Sequence, residues 1–280
     1  MSIERARRIA ILVGVIGLGP MAVAVARAAD PRRSPTVEET GGGGERESQV
    51  ESSACGAGMV LVEGDYCPKV EQRCLHWMDP PGRYHEYRCA EYAKPARCLA
   101  PREHRRFCID QQERVDTATG LPLNVQSWTD AKRACEDQGQ RVCLESEWTF
   151  ACEGEEMRPY PYGWRRAADK CNADKSDLVI PSQPWLLKDE RTPGGAHPQC
   201  ASPFGLQDMA GNVAEWVSVD GFADGSLVVQ KGNWWQPGKH ACRDAQGGHD
   251  KFYKGTETGF RCCGAARPDM SVSSTATTPR

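Results

Sequence analysis

Past its first 28 residues the chain has no long apolar run, and helical periodicity is scarce along the rest of it. It also lacks a basic excess. Its 35 Lys and Arg stand against 38 Asp and Glu, so the positive stripe that nucleic-acid binders use is missing. Hydrophobic content of 39% and charged content of 26% exclude a polytopic membrane protein and a wholly disordered chain. There is no internal repeat, and no Cys-x-x-Cys pair of the kind zinc sites favour. What is plentiful is cysteine. The 14 in 280 residues point to an oxidising compartment, because a reducing cytosol rarely hosts so many without metal.

Residues 1–28 fit that compartment. Arg5, Arg7 and Arg8 precede an apolar stretch from Ile9 to Ala26, broken at Gly19-Pro20, and Ala26-Arg27-Ala28 reads as a small-x-small cleavage site. The expectation is an exported protein, periplasmic or secreted, with no membrane span after cleavage. An uncleaved anchor is the alternative. Residues 29–54, with four consecutive glycines, read as a disordered linker, and 269–280 as a similar tail. Between them, 55–268 is dense enough for one domain.

Two helices stand out in it. Ser127 with Asp130 caps a helix through TDAKRACEDQ that Gly139 stops, and a second runs from Glu145 to Cys152 before Gly154. Short apolar pieces at 59–64, 227–232 and 259–263 read as strands. The expected class is α+β, with short strands, few helices and much irregular loop held by disulfides. Six cysteines (55, 67, 74, 89, 98 and 108) crowd an N-terminal insert whose pairing is open among 15 connectivities. Its segment LHWMDPPGRYHEYRC is rich in aromatics and charge.

Read in order, GMVLVEG (58–64), SWTDAKRACEDQGQRVCLESEWTFACEG (127–154), YPYGW (160–164), GLQDMAGNVAEWV (205–217), KGNWW (231–235) and GFRCC (259–263) resemble the sulfatase-modifying-factor family, whose best-known members are formylglycine-generating enzymes. The resemblance implies a compact, loop-rich domain related to the C-type lectin fold. It also implies calcium, with hard oxygens from Asn212, Val213 (by its carbonyl) and Glu215, and a second site at Asn172 and Asp174. The bland alternative is that these side chains only bridge backbone groups of tight turns.

Formylglycine-generating members work with two copper-binding cysteines, because soft Cu(I) wants thiolates. The corresponding stretch here, KGNWWQPGKHACR (231–243), holds only Cys242, and Gln236 stands about where the first thiol belongs. Copper is therefore not expected, and this is read as a divergent member without the catalytic pair. A histidine-iron branch of the family groups its ligands as HxxxEH, a pattern absent here. His240 and His249, with Asp250, leave iron open as an alternative, and a pyoverdine-maturation type without the cysteine pair keeps a non-copper oxidative role open.

Family pattern implies disulfides Cys135–Cys262 and Cys152–Cys242, and the same reading pairs Cys143 with Cys263 and Cys171 with Cys200. The expected function is a calcium-supported module binding a peptide, protein or glycan at the cell envelope. The groove candidates are Trp234, Gln236, His240 and His249, and the open question is whether Trp234, Trp235 and Gln236 wall a groove or fill a core.

Overall fold

The computed structural model describes residues 54–268. The expected signal peptide, the linker to residue 53 and the tail from residue 269 lie outside the described residues.

A four-stranded sheet in the order β1-β6-β13-β7 forms one layer: β1 is Met59–Tyr66, β6 Glu103–Asp110, β13 Cys262–Ala265 and β7 Arg141–Val142. β1 and β6 pair antiparallel from Met59↔Asp110 to Tyr66↔Glu103. Alternation sends Val62, Phe107 and Ile109 into the core, where they meet Trp148, Phe150, Leu206 and Met209. A second sheet, β11-β10-β12, joins Val228–Lys231, Ala214–Ser218 and Thr258–Gly259, with β10 and β12 parallel. Every residue of β10 is buried, so it is the central strand of the molecule.

Helix α1 is Trp128–Glu136. Its capping box is complete: Asp130 N donates to Ser127 Oγ, and the Asp130 carboxylate accepts from Ser127 N. Trp128, Ala131 and Cys135 are its buried face. Helix α2, Glu145–Glu153, is different, since Ser146 through Glu153 are all buried. A helix enclosed on every side needs no amphipathic stripe, which is why its periodicity is weak in the sequence. Leu144 offers no capping side chain. Instead the Glu147 carboxylate accepts from Leu144 N at 2.9 Å and is held by Arg141.

Seven disulfides staple this loop-rich α+β domain, and none of the 14 cysteines is free. Four tie the scaffold: Cys135–Cys262, Cys143–Cys263, Cys152–Cys242 and Cys171–Cys200. Consecutive residues of β13 point to opposite faces. Cys262 therefore reaches α1 in one buried cluster while Cys263 reaches Cys143 in another.

The insert has its own order. Cys55–Cys108 encloses Cys67–Cys98, which encloses Cys74–Cys89. The nesting follows the strands, because the segment is one long antiparallel excursion. Beyond the β1–β6 pair, β2 (Val70–Glu71) pairs with β5 (Arg97–Cys98), and beyond that β3 (Cys74–Trp77) pairs with β4 (Cys89–Tyr92). A last ribbon, β8 (Val179–Ile180) with β9 (Gln183–Leu187), stands apart and carries the exposed Trp185.

Candidate functional site

The stretch that follows β11 occupies the place where family chemistry was expected, and its residues divide between core and cavity. Trp234 and Trp235 pack edge-to-face at 5.0 Å in a buried cluster with Val213, Ala214 and Leu178. They fill core and wall no groove, which corrects the expectation for Trp234. Gln236 is half-buried, and its carbonyl oxygen lies 3.0 Å from His240 Nε2. The other ring nitrogen, Nδ1, lies 3.1 Å from the Gly232 carbonyl. Burial and the nearby Arg166 lower the imidazole pKa, while the two carbonyls and Asp174 oppose them. His240 thus braces the 232–240 loop. His249 is exposed, stacks on Tyr253 at 3.7 Å, and lines a different cavity together with Asp250. The three groups considered for iron do not converge, and among the described residues no three His, Cys, Asp or Glu side chains form a metal cage.

Beside His240 lies a cavity of about 310 Å³, roofed by the insert. Arg88, Arg166, Lys239 and Arg243 line it, as do Glu86 and Asp244. Three of the cations are held from behind. Asp79 binds Arg88 at 2.6 Å, Asp174 binds Arg166 at 2.6 Å, and Glu153 binds Arg243 at 2.5 Å. None of these three carboxylates is itself in the lining. Lys239 makes no salt bridge among the described residues; its ammonium sits 5.2 Å over the Tyr87 ring. Burial pushes the Asp244 carboxyl up, toward its neutral form. Tyr160, buried at the base, donates its hydroxyl to the Cys89 carbonyl at 2.5 Å and so ties scaffold to insert. Trp77 and Tyr87 stand exposed at the mouth.

The calcium expectation rests on a loop that the structure fills with hydrogen bonds. Asn212 has a positive φ of 59°, and its Oδ1 accepts from Asn172 Nδ2 and Thr192 N, both at 3.0 Å. Its amide donates to Glu113 at 2.6 Å. Asp174 is engaged by Arg166, and Glu215 by Trp148 Nε1 at 2.6 Å and by Arg261, whose guanidinium grips both its oxygens. Asn212 and Asp174 are therefore bridges, with no oxygen to spare for a cation. What fits a hard cation here is the surplus of negative charge. Glu113, Asp208 and Glu215 are buried around a single guanidinium, Arg261. Burial and mutual repulsion push Glu113 well up, and burial pushes Asp208 up. Asp208 Oδ1 and Asn172 Oδ1 are buried without a donor. Asp208 Oδ1 and Asn172 Oδ1, the acceptors left open here, are the atoms that would hold calcium, while Glu215 is engaged by Trp148 and Arg261.

Residues 70–266 match the family described as the sulfatase-modifying factor enzyme 1-like domain. The chain belongs to the sulfatase-modifying-factor family. Among proteins similar to it is the "Inactive C-alpha-formylglycine-generating enzyme 2" of Bos taurus, 32% identical over 161 residues, which are 53% of this chain and 52% of that protein. The protein of the same name in Mus musculus is 32% identical over 106 residues, 35% of this chain and 32% of that one. The chain thus spans about half the length of the bovine relative and less of the murine one. Of solved structures, CarF aligns at 15% identity and a TM-score of 0.48, covering 74% of this chain and 97% of that one. PvdO from Pseudomonas aeruginosa aligns at 16% and 0.44, covering 74% and 94%.

Within this family member, the cavity residues Arg88, Arg166, Lys239, Arg243 and Asp244 were not singled out by sequence reasoning. Lys239 and Arg243 lie in the 231–243 stretch and Arg88 in the insert segment, while Arg166 and Asp244 lie outside every quoted segment. The usable signal was the aromatic and charged composition of the insert, which supplies Trp77, Tyr87 and Arg88 to one side of the cavity. Arg261 and Glu215 sit inside named motifs, yet their pairing needs the fold. Residues 215 and 261 meet only because β10 and the segment before β13 are packed together.

Proposed function

We propose that this protein is a non-catalytic member of the sulfatase-modifying-factor family that binds a peptide or glycan group in the cavity under its insert, outside the cytoplasm, on a scaffold supported by calcium. The carrying observation is the state of the thiols. By the family resemblance Gln236 stands about where one cysteine of the copper pair belongs, and Cys242, the one cysteine of the stretch, is spent in a fully buried disulfide with Cys152. With no free cysteine in the chain, the two-thiolate copper route has no ligands. The printed name of the bovine relative, an inactive formylglycine-generating enzyme, supports the reading. Seven disulfides support an oxidising compartment. Calcium is drawn in by the carboxylate surplus at Glu113, Asp208 and Glu215; it neutralises buried charge and takes no part in chemistry.

The test is to incubate the oxidised protein with Cu(I), oxygen and a peptide bearing Cys-x-Pro-x-Arg, and to look for aldehyde by mass spectrometry. The expected result is an unmodified peptide. Catalytic turnover to formylglycine would overturn the proposal.

A further inference from the structure

We propose that the cavity beneath the insert takes a terminal sugar unit bearing a carboxylate, a hexuronate or a ring of similar size and charge. The proposal rests on the binding reading above and specifies its ligand.

Size comes first. At about 310 Å³ the cavity lies at the small end of the range for ligand pockets, roughly 300–1,000 Å³. That volume suits a ligand of about one ring. The insert makes it so. Cys74–Cys89 and the two-pronged Arg88–Asp79 pair hold the β3–β4 ribbon across what is otherwise an open face.

Charge comes next. The lining presents Arg88, Arg166, Lys239 and Arg243, while the carboxylates that neutralise three of them stand behind the wall. Local potential depends on which charge lies nearer, so an entering group meets the guanidinium and ammonium side first. Lys239 makes no salt bridge among the described residues; its ammonium lies over Tyr87 and near the Asp244 carboxyl in the same lining. Two acidic groups share the lining: Glu86 is exposed, and Asp244 accepts from Ala241 N at 3.1 Å, so the four cations outnumber them. A carboxylate suits this wall, since guanidinium forks match its planar geometry.

The aromatic rim completes the site. Trp77 is 36% exposed and Tyr87 44% exposed along the cavity, Trp77 beside His85 and Tyr87 beneath Lys239. Flat rings beside a cationic floor suit a sugar, whose C–H face lies against an aromatic plane while its carboxylate turns inward. A neutral sugar leaves the cations unused, and a small inorganic anion leaves the rings unused.

Calorimetry and amide NMR shifts on the disulfide-intact protein, with methyl glucuronoside as probe, test this. Methyl glucoside, acetate and an acidic dipeptide amide are the comparison ligands. The expected result is saturable uronate binding that weakens with salt, with glucoside and acetate each weaker by about tenfold or more, the effect of losing one charge-assisted contact set. Lys239→Ala and Tyr87→Ala should each weaken uronate binding by about fivefold or more with unchanged melting curves, while Trp185→Ala on the distant ribbon leaves it intact. Glucoside or acetate binding as tightly as uronate overturns the proposal. So does Lys239-sensitive binding of the dipeptide with none of the uronate, although the binding reading then stands. Formylglycine formation in the assay above overturns that reading itself, so the two failures are separable.

Discussion

Glu153 offers a sharp quantitative test, because a single buried carboxyl there couples scaffold stability to pH. It closes α2, is 0% exposed, and accepts from Arg243 Nε at 2.7 Å and from a terminal nitrogen at 2.5 Å. Desolvation opposes its charge, while Arg243, Lys231 and Arg102 favour it. The balance leaves the carboxyl raised from 4.5 to about 7. The folded state therefore holds a proton that the unfolded chain has released. Stability from this group is fully present below pH 4.5 and is lost as pH rises toward 7. At 1.36 kcal/mol per pKa unit the loss is about 3 kcal/mol, or about 6–12 °C in melting temperature for a domain of this size. Glu153→Gln removes the titration and keeps the shape. Urea unfolding of both proteins from pH 4 to 8, with disulfides intact, should show the stability gap between wild type and variant shrinking by about 3 kcal/mol across that range. Parallel curves, or a gap that moves in wild type's favour with rising pH, refute the reasoning. The second result means that Arg243 outweighs burial and keeps Glu153 ionised.

Other measurements probe the remaining parts. Arg261→Met strands Glu215 and its neighbours Glu113 and Asp208 in the core, and should cost about 3–5 kcal/mol in urea unfolding; a loss under about 1 kcal/mol contradicts the buried ion pair. Calcium should raise the melting temperature relative to chelator, approaching about 2.7 kcal/mol at a hundredfold excess over Kd, and Asp208→Asn should abolish the rise. Identical wild-type melting in calcium and chelator removes calcium from the scaffold. The double variant Cys74→Ser, Cys89→Ser opens a staple spanning 15 residues, worth about 3 kcal/mol in the chain-entropy picture. Its effect should stay in the insert, with trypsin cutting at Arg83 and Arg88 while the scaffold's urea midpoint holds; a cooperative collapse of the whole domain shows the insert to be integral.

What was legible in the sequence was local or covalent. The capping box at Ser127 and Asp130 is a short-range pattern, so α1 could be read directly. The α+β class followed from the spacing of Gly, Pro and short apolar pieces. The insert's connectivity was not readable from its spacings, because nested pairing depends on β1–β6, β2–β5 and β3–β4 zipping in succession, a long-range register. Site residues failed in two ways. Trp234 lies in the right segment but packs in a buried cluster, where an aromatic is as well satisfied as in a groove, whereas His240 lines the cavity with its ring nitrogens facing the Gly232 and Gln236 carbonyls. Asn212 has the right chemistry for a ligand, but its amide was claimed by Glu113 and its oxygen by two N–H groups. Sequence shows which atoms are offered and not which are already taken.

The same accounting applies to the thiols and links the loss of chemistry to the gain of a cavity. Cys152–Cys242 anchors the 236–244 stretch to α2, and Arg243, the residue after the bonded cysteine, is thereby placed against Glu153 and reaches the Cys67 carbonyl at 2.6 Å. Cys67 is the middle staple of the insert. A single residue thus connects the scaffold disulfide to the insert that roofs the cavity, with its charge exposed to whatever enters. An open groove working through free thiols needs the opposite arrangement: mobile access from solvent, and sulfur left unbonded. In this chain the sulfur is used to rigidify the loop, and a stapled ribbon forms one side of the cavity. Rigid walls lined by four cations suit selective binding of a small acidic group better than processing of an extended chain.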